Sequence, residues 1–180
     1  MTASDVLRIR PVARADAAAL LRFELEHRAF FEGWINARDP KFYSEQGVAA
    51  AIAAAEAAWA ADQGFQYLVI EDERLVGRVN LSGVRRTHFQ SADLGYRIGE
   101  HDGGRGIASR AVALCLAQAF GAHGLRRVEA VARPENKGSV RVLQRNGFQQ
   151  FGHSRRSFEL GGRLFDRLLF ERHAEAAAST

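Results

Sequence analysis

Residues 103–108, Gly103-Gly104-Arg105-Gly106-Ile107-Ala108, set three glycines and a cation directly ahead of an apolar, helix-forming run. A helix that starts there leaves several backbone N–H groups without intrahelical partners. Glycine removes the side chains that would hold a ligand away from those donors, and the helix dipole adds partial positive charge. The turn therefore suits a phosphate or pyrophosphate. Arg105 and Arg110 stand close enough in sequence to add full charges. A tight strand-to-helix connection with no ligand is the alternative reading of the same residues. No Gly-Lys-Ser/Thr closes the loop, which disfavours a P-loop for nucleoside triphosphates. Gly104-x-Gly106 is followed by Ser109 where a dinucleotide fingerprint wants glycine or alanine, although Glu129 falls at the distance of a ribose-binding acid.

Other chemistry-bearing residues are sparse. Cys115 is the single cysteine, so no internal disulfide forms, and its place on the apolar face of a helical run reads as a small core residue rather than an acyl-carrying nucleophile. His27, His88, His101, His123, His153 and His173 show no pair at ligand or catalytic spacing, and no His/Cys cluster supplies four metal ligands. No metal is expected. His101 is the histidine to watch, because it lies in the loop before the glycine turn.

The chain that must position these residues has 180 residues, 47% hydrophobic and 26% charged, which fits one domain over residues 1–180 with a frayed tail at 174–180. Its formal net charge of +4 is scattered and suits an anionic small ligand better than a nucleic acid. The N-terminus lacks a signal-peptide pattern, and no run approaches the roughly 20 apolar residues of a spanning helix. A cytoplasmic protein without membrane partners is expected.

Leu7 to Val12 alternates apolar and basic residues as a short edge strand, and Ala15 to about Arg28 has helical periodicity with Glu24, Glu26 and Arg28 between its apolar positions. Phe30 to Gly47 mixes aromatics with Gly33, Asn36, Asp39 and Pro40, reading as a long loop or broken helix. Val48 to Asp62 is an alanine-rich helix stopped by Gly64. Strands at Gln66–Ile70, Leu75–Leu81 and Ala92–Ile98 form an antiparallel meander leading into the glycine turn. Helix Ile107–Phe120, strand Arg127–Ala132, helix Asn136–Arg145 and a hairpin of Phe148–Leu160 with Arg163–Arg172 across Gly161-Gly162 complete the chain. A dinucleotide fingerprint opens a series of parallel βαβ units, whereas this turn follows a meander.

This order, with the motifs along it, resembles the GCN5-related N-acetyltransferases. Gly103-Gly104-Arg105-Gly106-Ile107-Ala108 is similar to the family's acetyl-CoA turn, with Gly103 where the family has Gln or Arg. The segment Asn136-Lys137-Gly138-Ser139, followed by Leu143 and Gly147-Phe148, resembles Asn-x-x-Ser…Leu-x-x-x-Gly-Phe of the ribosomal-protein-alanine acetylating (RimJ/RimL-like) branch. Ala92-Asp93-Leu94-Gly95-Tyr96 and Gly161-Gly162-Arg163-Leu164-Phe165-Asp166 are similar to two further motifs of that branch.

The resemblance implies an α/β (α+β) fold with a mixed, mostly antiparallel sheet of about six to seven strands and about four helices. It implies an N-acetyltransferase using acetyl-CoA as co-substrate, with direct transfer to a primary amine. A protein N-terminal amine is the first expectation. A small amine, amino acid or antibiotic is the alternative acceptor, and a non-catalytic acyl-CoA sensor the alternative class. Cofactor contacts fall on Ile98, Gly103, Gly104, Arg105, Gly106, Ile107, Ala108, Ser109 and Asn136; Asn136 also suits a helix N-cap. Backbone N–H groups around Tyr96 to Ile98 would meet the thioester carbonyl. Asp93 is the candidate general base, with Glu129 competing and a solvated strand carboxylate the alternative for each. Relatives protonate the leaving thiolate from a tyrosine where this chain has Leu143, which turns attention to Ser139. The acceptor would lie against Phe31, Trp34 and Tyr43 of the aromatic loop and Arg155 of the last hairpin. Monomer and homodimer both remain open.

Overall fold

The computed structural model describes residues 6–175 and consists of one seven-stranded sheet with helices on both faces. Strand β1 (Leu7–Pro11) pairs antiparallel with β2 (Phe65–Glu71), β2 with β3 (Arg74–Arg85), and β3 with β4 (Ser91–Ile98). Strand β5 (Arg127–Ala132) lies parallel to β4, and β7 (Arg163–His173) is antiparallel to both β5 and β6 (Gln149–Leu160). Sheet order is therefore β1-β2-β3-β4-β5-β7-β6. Within the tail expected at 174–180, residues 176–180 lie outside the described residues, as does the start of the chain before Val6.

Alternation along β2 divides the core. Phe65, Tyr67 and Val69 face α4 (Ile107–Phe120), joining Val79, Leu81, Ala92 and Val128, while Leu68 and Ile70 face α1 (Ala17–Glu26) and α3 (Glu45–Ala60). A strand covered on both faces needs this near-continuous apolar run. Alanine lets α3 lie close to the sheet, with Val48, Ile52 and Ala55 buried against it.

The stretch expected as one helix from Ala15 to Arg28 starts with a 3-10 turn at Arg14–Asp16 and breaks at His27, after which α2 (Arg28–Glu32) begins. The aromatic segment thus carries helix α2 and a second 3-10 turn at Pro40–Phe42, where Asp39 caps the Lys41 N–H. Helix α5 (Lys137–Arg145) brings the α-helices among the described residues to five. Among the described residues, no helix is long and apolar enough to cross a membrane.

Candidate active site

The parallel pairing of β4 and β5 joins Ser91–Leu94 to Arg127–Ala130 and goes no further. Beyond it the two strands part. Tyr96, Arg97 and Ile98 on one side and Val131 and Ala132 on the other line a cleft of about 950 Å³, which continues along α5 to the glycine turn and, at its other end, to α2. A sheet that splays here presents backbone edge groups to a ligand instead of to a strand.

Tyr96 and Ser139 meet across this cleft. The Tyr96 hydroxyl lies 2.8 Å from Ser139 Oγ and also donates to the Ser139 carbonyl at 3.2 Å. Burial pushes the phenol up to about 12, outweighing the opposing effect of the serine hydrogen bond, so Tyr96 is neutral at physiological pH. Ser139 is held from its own helix as well: Asn136 caps α5, its Oδ1 accepting the Ser139 N–H at 3.0 Å.

At the glycine turn, Gly104 and Gly106 both adopt φ of +77°, a left-handed conformation costly to any residue with a Cβ. A Cβ built at either would meet no protein atom within 4 Å, so the backbone faces open space. Gly106 is the N-cap of α4, with no side chain satisfying the first-turn donors and no acidic residue in that turn. Those N–H groups, with Ile107, Ala108 and Ser109 at the cleft wall, can hold an anion. Gly103 is different, with an ordinary φ of −65° and the Glu100 carbonyl 3.2 Å from where its Cβ would stand.

An acetyltransferase (GNAT) domain model matches residues 7–149. The chain belongs to the GNAT family of N-acetyltransferases. Among curated relatives of this GNAT acetyltransferase, the probable N-acetyltransferase YjcK of Bacillus subtilis is 31% identical, with 90% of this chain and 91% of the relative covered. The [ribosomal protein uS5]-alanine N-acetyltransferase of Escherichia coli is 26% identical over 92% of this chain and 87% of the relative. A solved structure of Mycobacterium smegmatis RimJ in complex with CoA-disulfide superimposes with a TM-score of 0.89 at 30% identity, covering 98% of this chain and 86% of that one.

Not every residue singled out from the sequence of this GNAT enzyme reaches the cleft. Ile98, Gly103, Gly104, Gly106, Ile107, Ala108, Ser109, Asn136, Ser139, Tyr96, Phe31 and Trp34 line it. Asp93 does not. Three positions before Tyr96, it points to the opposite sheet face, half-exposed at 50%, where Arg85 binds it at 3.3 Å. Glu129 pairs with the same Arg85 and, at 2.9 Å, with Arg127. Neither carboxylate lines the cleft, and both are held by Arg85.

Arg105 likewise turns from the cleft, its guanidinium 2.9 Å from buried Glu71 and 3.1 Å from Asp102, and Arg110 binds Glu71 at 3.1 Å. Cations come instead from α5, where Lys137, Arg141 and Arg145 line the cleft. Their i, i+4, i+8 spacing, one stripe of a helix, was the available signal. Tyr43 lies beneath the Arg28 guanidinium at 4.0 Å with its hydroxyl toward Glu32, outside the cleft. Arg155 is exposed, since a register shift between Ser154 and Phe158, with Arg156 at φ +47°, resets the alternation of β6 and turns Phe158 inward. Arg133 at the end of β5 and Arg167 of β7 also line this end of the cleft.

Cys115 is fully buried, and desolvation pushes its thiol up to about 12, which removes the thiolate a nucleophile needs. Glu26, His27 and His101 approach within 4.8 Å of one another. The His27 Nδ1 accepts the Glu100 N–H at 3.3 Å.

Proposed function

We propose that this GNAT chain binds acetyl-CoA in the cleft and acetylates a primary amine by direct transfer, with a protein N-terminal amine as acceptor. The observation that carries the reading is the Tyr96–Ser139 hydroxyl pair, 2.8 Å apart, at the point where β4 and β5 part. The pair stands between an anion-binding turn and an aromatic wall. The uS5-alanine N-acetyltransferase relative supports the choice of acceptor.

When bound, acetyl-CoA would supply a thioester whose carbonyl carbon takes the amine nitrogen, the C–S bond breaking as the C–N bond forms. The amides at Gly104, Gly106 and the first turn of α4 would hold the pyrophosphate, with Lys137, Arg141 and Arg145 supplying the full charges that Arg105 does not. The β4 edge from Tyr96 to Ile98 would direct backbone N–H groups at the developing oxyanion. Ser139 would give its proton toward the leaving sulfur and be reprotonated through solvent by the proton that the acylated nitrogen sheds, while the neutral Tyr96 phenol holds the serine in place. The amine reaches the site after losing its proton to solvent, because Asp93 and Glu129 lie outside the cleft against Arg85, the Asp102 carboxylate is taken by Arg74 and Arg105, and Glu135 is paired with Arg133. An α-amine, with a pKa of about 8, has a neutral fraction at pH 7 that a lysine side chain does not match.

Isothermal calorimetry with CoA and thiol release from acetyl-CoA over a panel of peptides and small amines, with products identified by mass spectrometry, tests this. Expected are CoA binding and acetylation at a peptide α-amine. No CoA binding at millimolar concentration would overturn the reading.

A further inference from the structure

Arg133 stands where β5 ends at the acceptor side of the cleft, its side chain only 12% exposed. Its guanidinium lies 3.7 Å above the Phe165 ring and 5.3 Å from the ring of Trp34, two aromatic surfaces that fix its plane. Nε reaches Glu135 at 3.5 Å, a long contact with a carboxylate that is itself 53% exposed. Nη1 is buried and has no hydrogen-bond partner. A buried charged donor left unpaired is a costly polar defect, so a guanidinium at the cleft with an unpaired N–H marks a place where an acceptor belongs.

The surroundings share that sign. Arg167 lines the same end of the cleft, positioned by its Nε donating to Ser157 Oγ at 3.0 Å. Arg97 also lines it, 5.1 Å from the Phe31 ring, and it shares one carboxylate, buried Glu24, with Arg78 and Arg38. Burial lowers the Arg97 guanidinium to about 10, which leaves it charged at neutral pH. Three guanidiniums around one carboxylate leave excess positive charge at the floor of the acceptor end. These cations belong to β3, β4, β7, the end of β5 and the segment after α2, separate from the stripe on α5 that faces the glycine turn.

We infer that the acceptor amine carries a carboxylate close to the nucleophilic nitrogen, and that the Arg133 guanidinium receives it. The inference rests on the acetyl-transfer reading and narrows its substrate class. The shared chemistry is a primary amine with a neighbouring carboxylate. An acidic side chain beside a peptide N-terminus supplies it, and so does the free carboxylate of an amino acid. A planar fork held between two rings suits a carboxylate better than a neutral amide, because a charge-assisted bond replaces an unpaired donor.

The full chain is assayed by thiol release from saturating acetyl-CoA with alanine-initiated hexapeptides bearing aspartate, asparagine or lysine in second place, and with free alanine against alaninamide. The aspartate peptide should exceed the asparagine peptide in kcat/KM by roughly tenfold to a hundredfold, with lysine poorer still. Arg133→Gln should collapse that ratio toward one, chiefly through KM for the aspartate peptide, and Arg133→Lys should restore part of it. Calorimetric binding of CoA by each variant reports an intact fold. If discrimination appears only between alanine and alaninamide, the carboxylate is the ligand's own and the inference holds for a free amino acid. Equal kcat/KM across both series in the unsubstituted protein would overturn it while leaving acetyl transfer intact. No thiol release from any acceptor, with CoA bound, would instead overturn the transfer reading on which it rests.

Discussion

Tyr96 on β4 and Ser139 on α5, 43 residues apart, share a hydrogen bond of 2.8 Å in the cleft opened by the parting of β4 from β5. Neither hydroxyl acts alone in this arrangement, since the phenol also holds the Ser139 carbonyl and Asn136 holds the Ser139 N–H. Ser139→Ala should lower kcat by roughly a hundredfold, the usual contribution of a positioned acid, while CoA affinity stays within about twofold. Tyr96→Phe should cost about tenfold, and the double variant should be little worse than Ser139→Ala, because the phenol acts through the serine. Steady-state kinetics with calorimetry reads both quantities. Additive losses would show the two hydroxyls working independently, and equal activity of Ser139→Ala would remove it from the mechanism.

Gly106→Val places a β-branched residue at φ +77° and a Cβ in the space before the helix donors. The strain should lower stability by about 1–3 kcal/mol. Binding should suffer more, with CoA affinity falling beyond detection, because the added side chain stands where the backbone must approach an anion. Thermal unfolding separates the two effects. A folded variant with an unchanged Kd would refute the assignment of this turn.

Most of the framework could be read from residue pattern. Helix α4 and strand β5 occupy the stretches the periodicity indicates, and the glycine turn lies between an antiparallel meander and a core-packed helix as its position requires. What pattern could not supply is the direction of single side chains. Asp93 lies in an alternating strand in which either face could look inward; the packing of Leu94 and Ala92 against α4 sets it on the other face, where Arg85 holds it outside the cleft. Arg105 looked suited to a phosphate by proximity, yet Glu71 and Asp102, distant or differently oriented in sequence space, claim it. Arg155 was displaced by a local register shift that leaves no composition signal.

Glu24 illustrates the same limit with an energetic consequence. Among the apolar residues of α1 it passes for a solvent-facing charge, but it is 1% exposed and paired with Arg78, with Arg97 at 3.1 Å and with Arg38 at 3.9 Å. Glu24→Gln keeps the shape and removes the negative charge that those three arginines share. The cost should be roughly 3 kcal/mol, a fall in Tm of about 6 to 12 °C for a chain of this size. Differential scanning calorimetry decides it, and an unchanged Tm would mean that water, not Glu24, compensates the arginines.

The pH profile follows from which groups titrate in the cleft. Below the acceptor's pKa of about 8, kcat/KM for a peptide α-amine should rise about tenfold per pH unit, then level off, because solvent rather than a side chain takes the proton. Tyr96 must stay protonated to support Ser139. Burial raises its pKa to about 12, so its neutral form persists across the working range and no descending limb belongs to it below that value. Its stability effect has a definite sign: an unfolded tyrosine ionises near pH 10, earlier than the folded one. The unfolded chain therefore binds fewer protons between about pH 10 and 12, and stability contributed by this group falls as pH rises through that window. Tyr96→Phe should remove that part of the alkaline destabilisation while leaving the rising limb near pH 8 in place. A rising limb centred near 5 or 6 would instead demand a carboxylate base, contrary to the pairing of Asp93 and Glu129 with Arg85 and of Glu135 with Arg133.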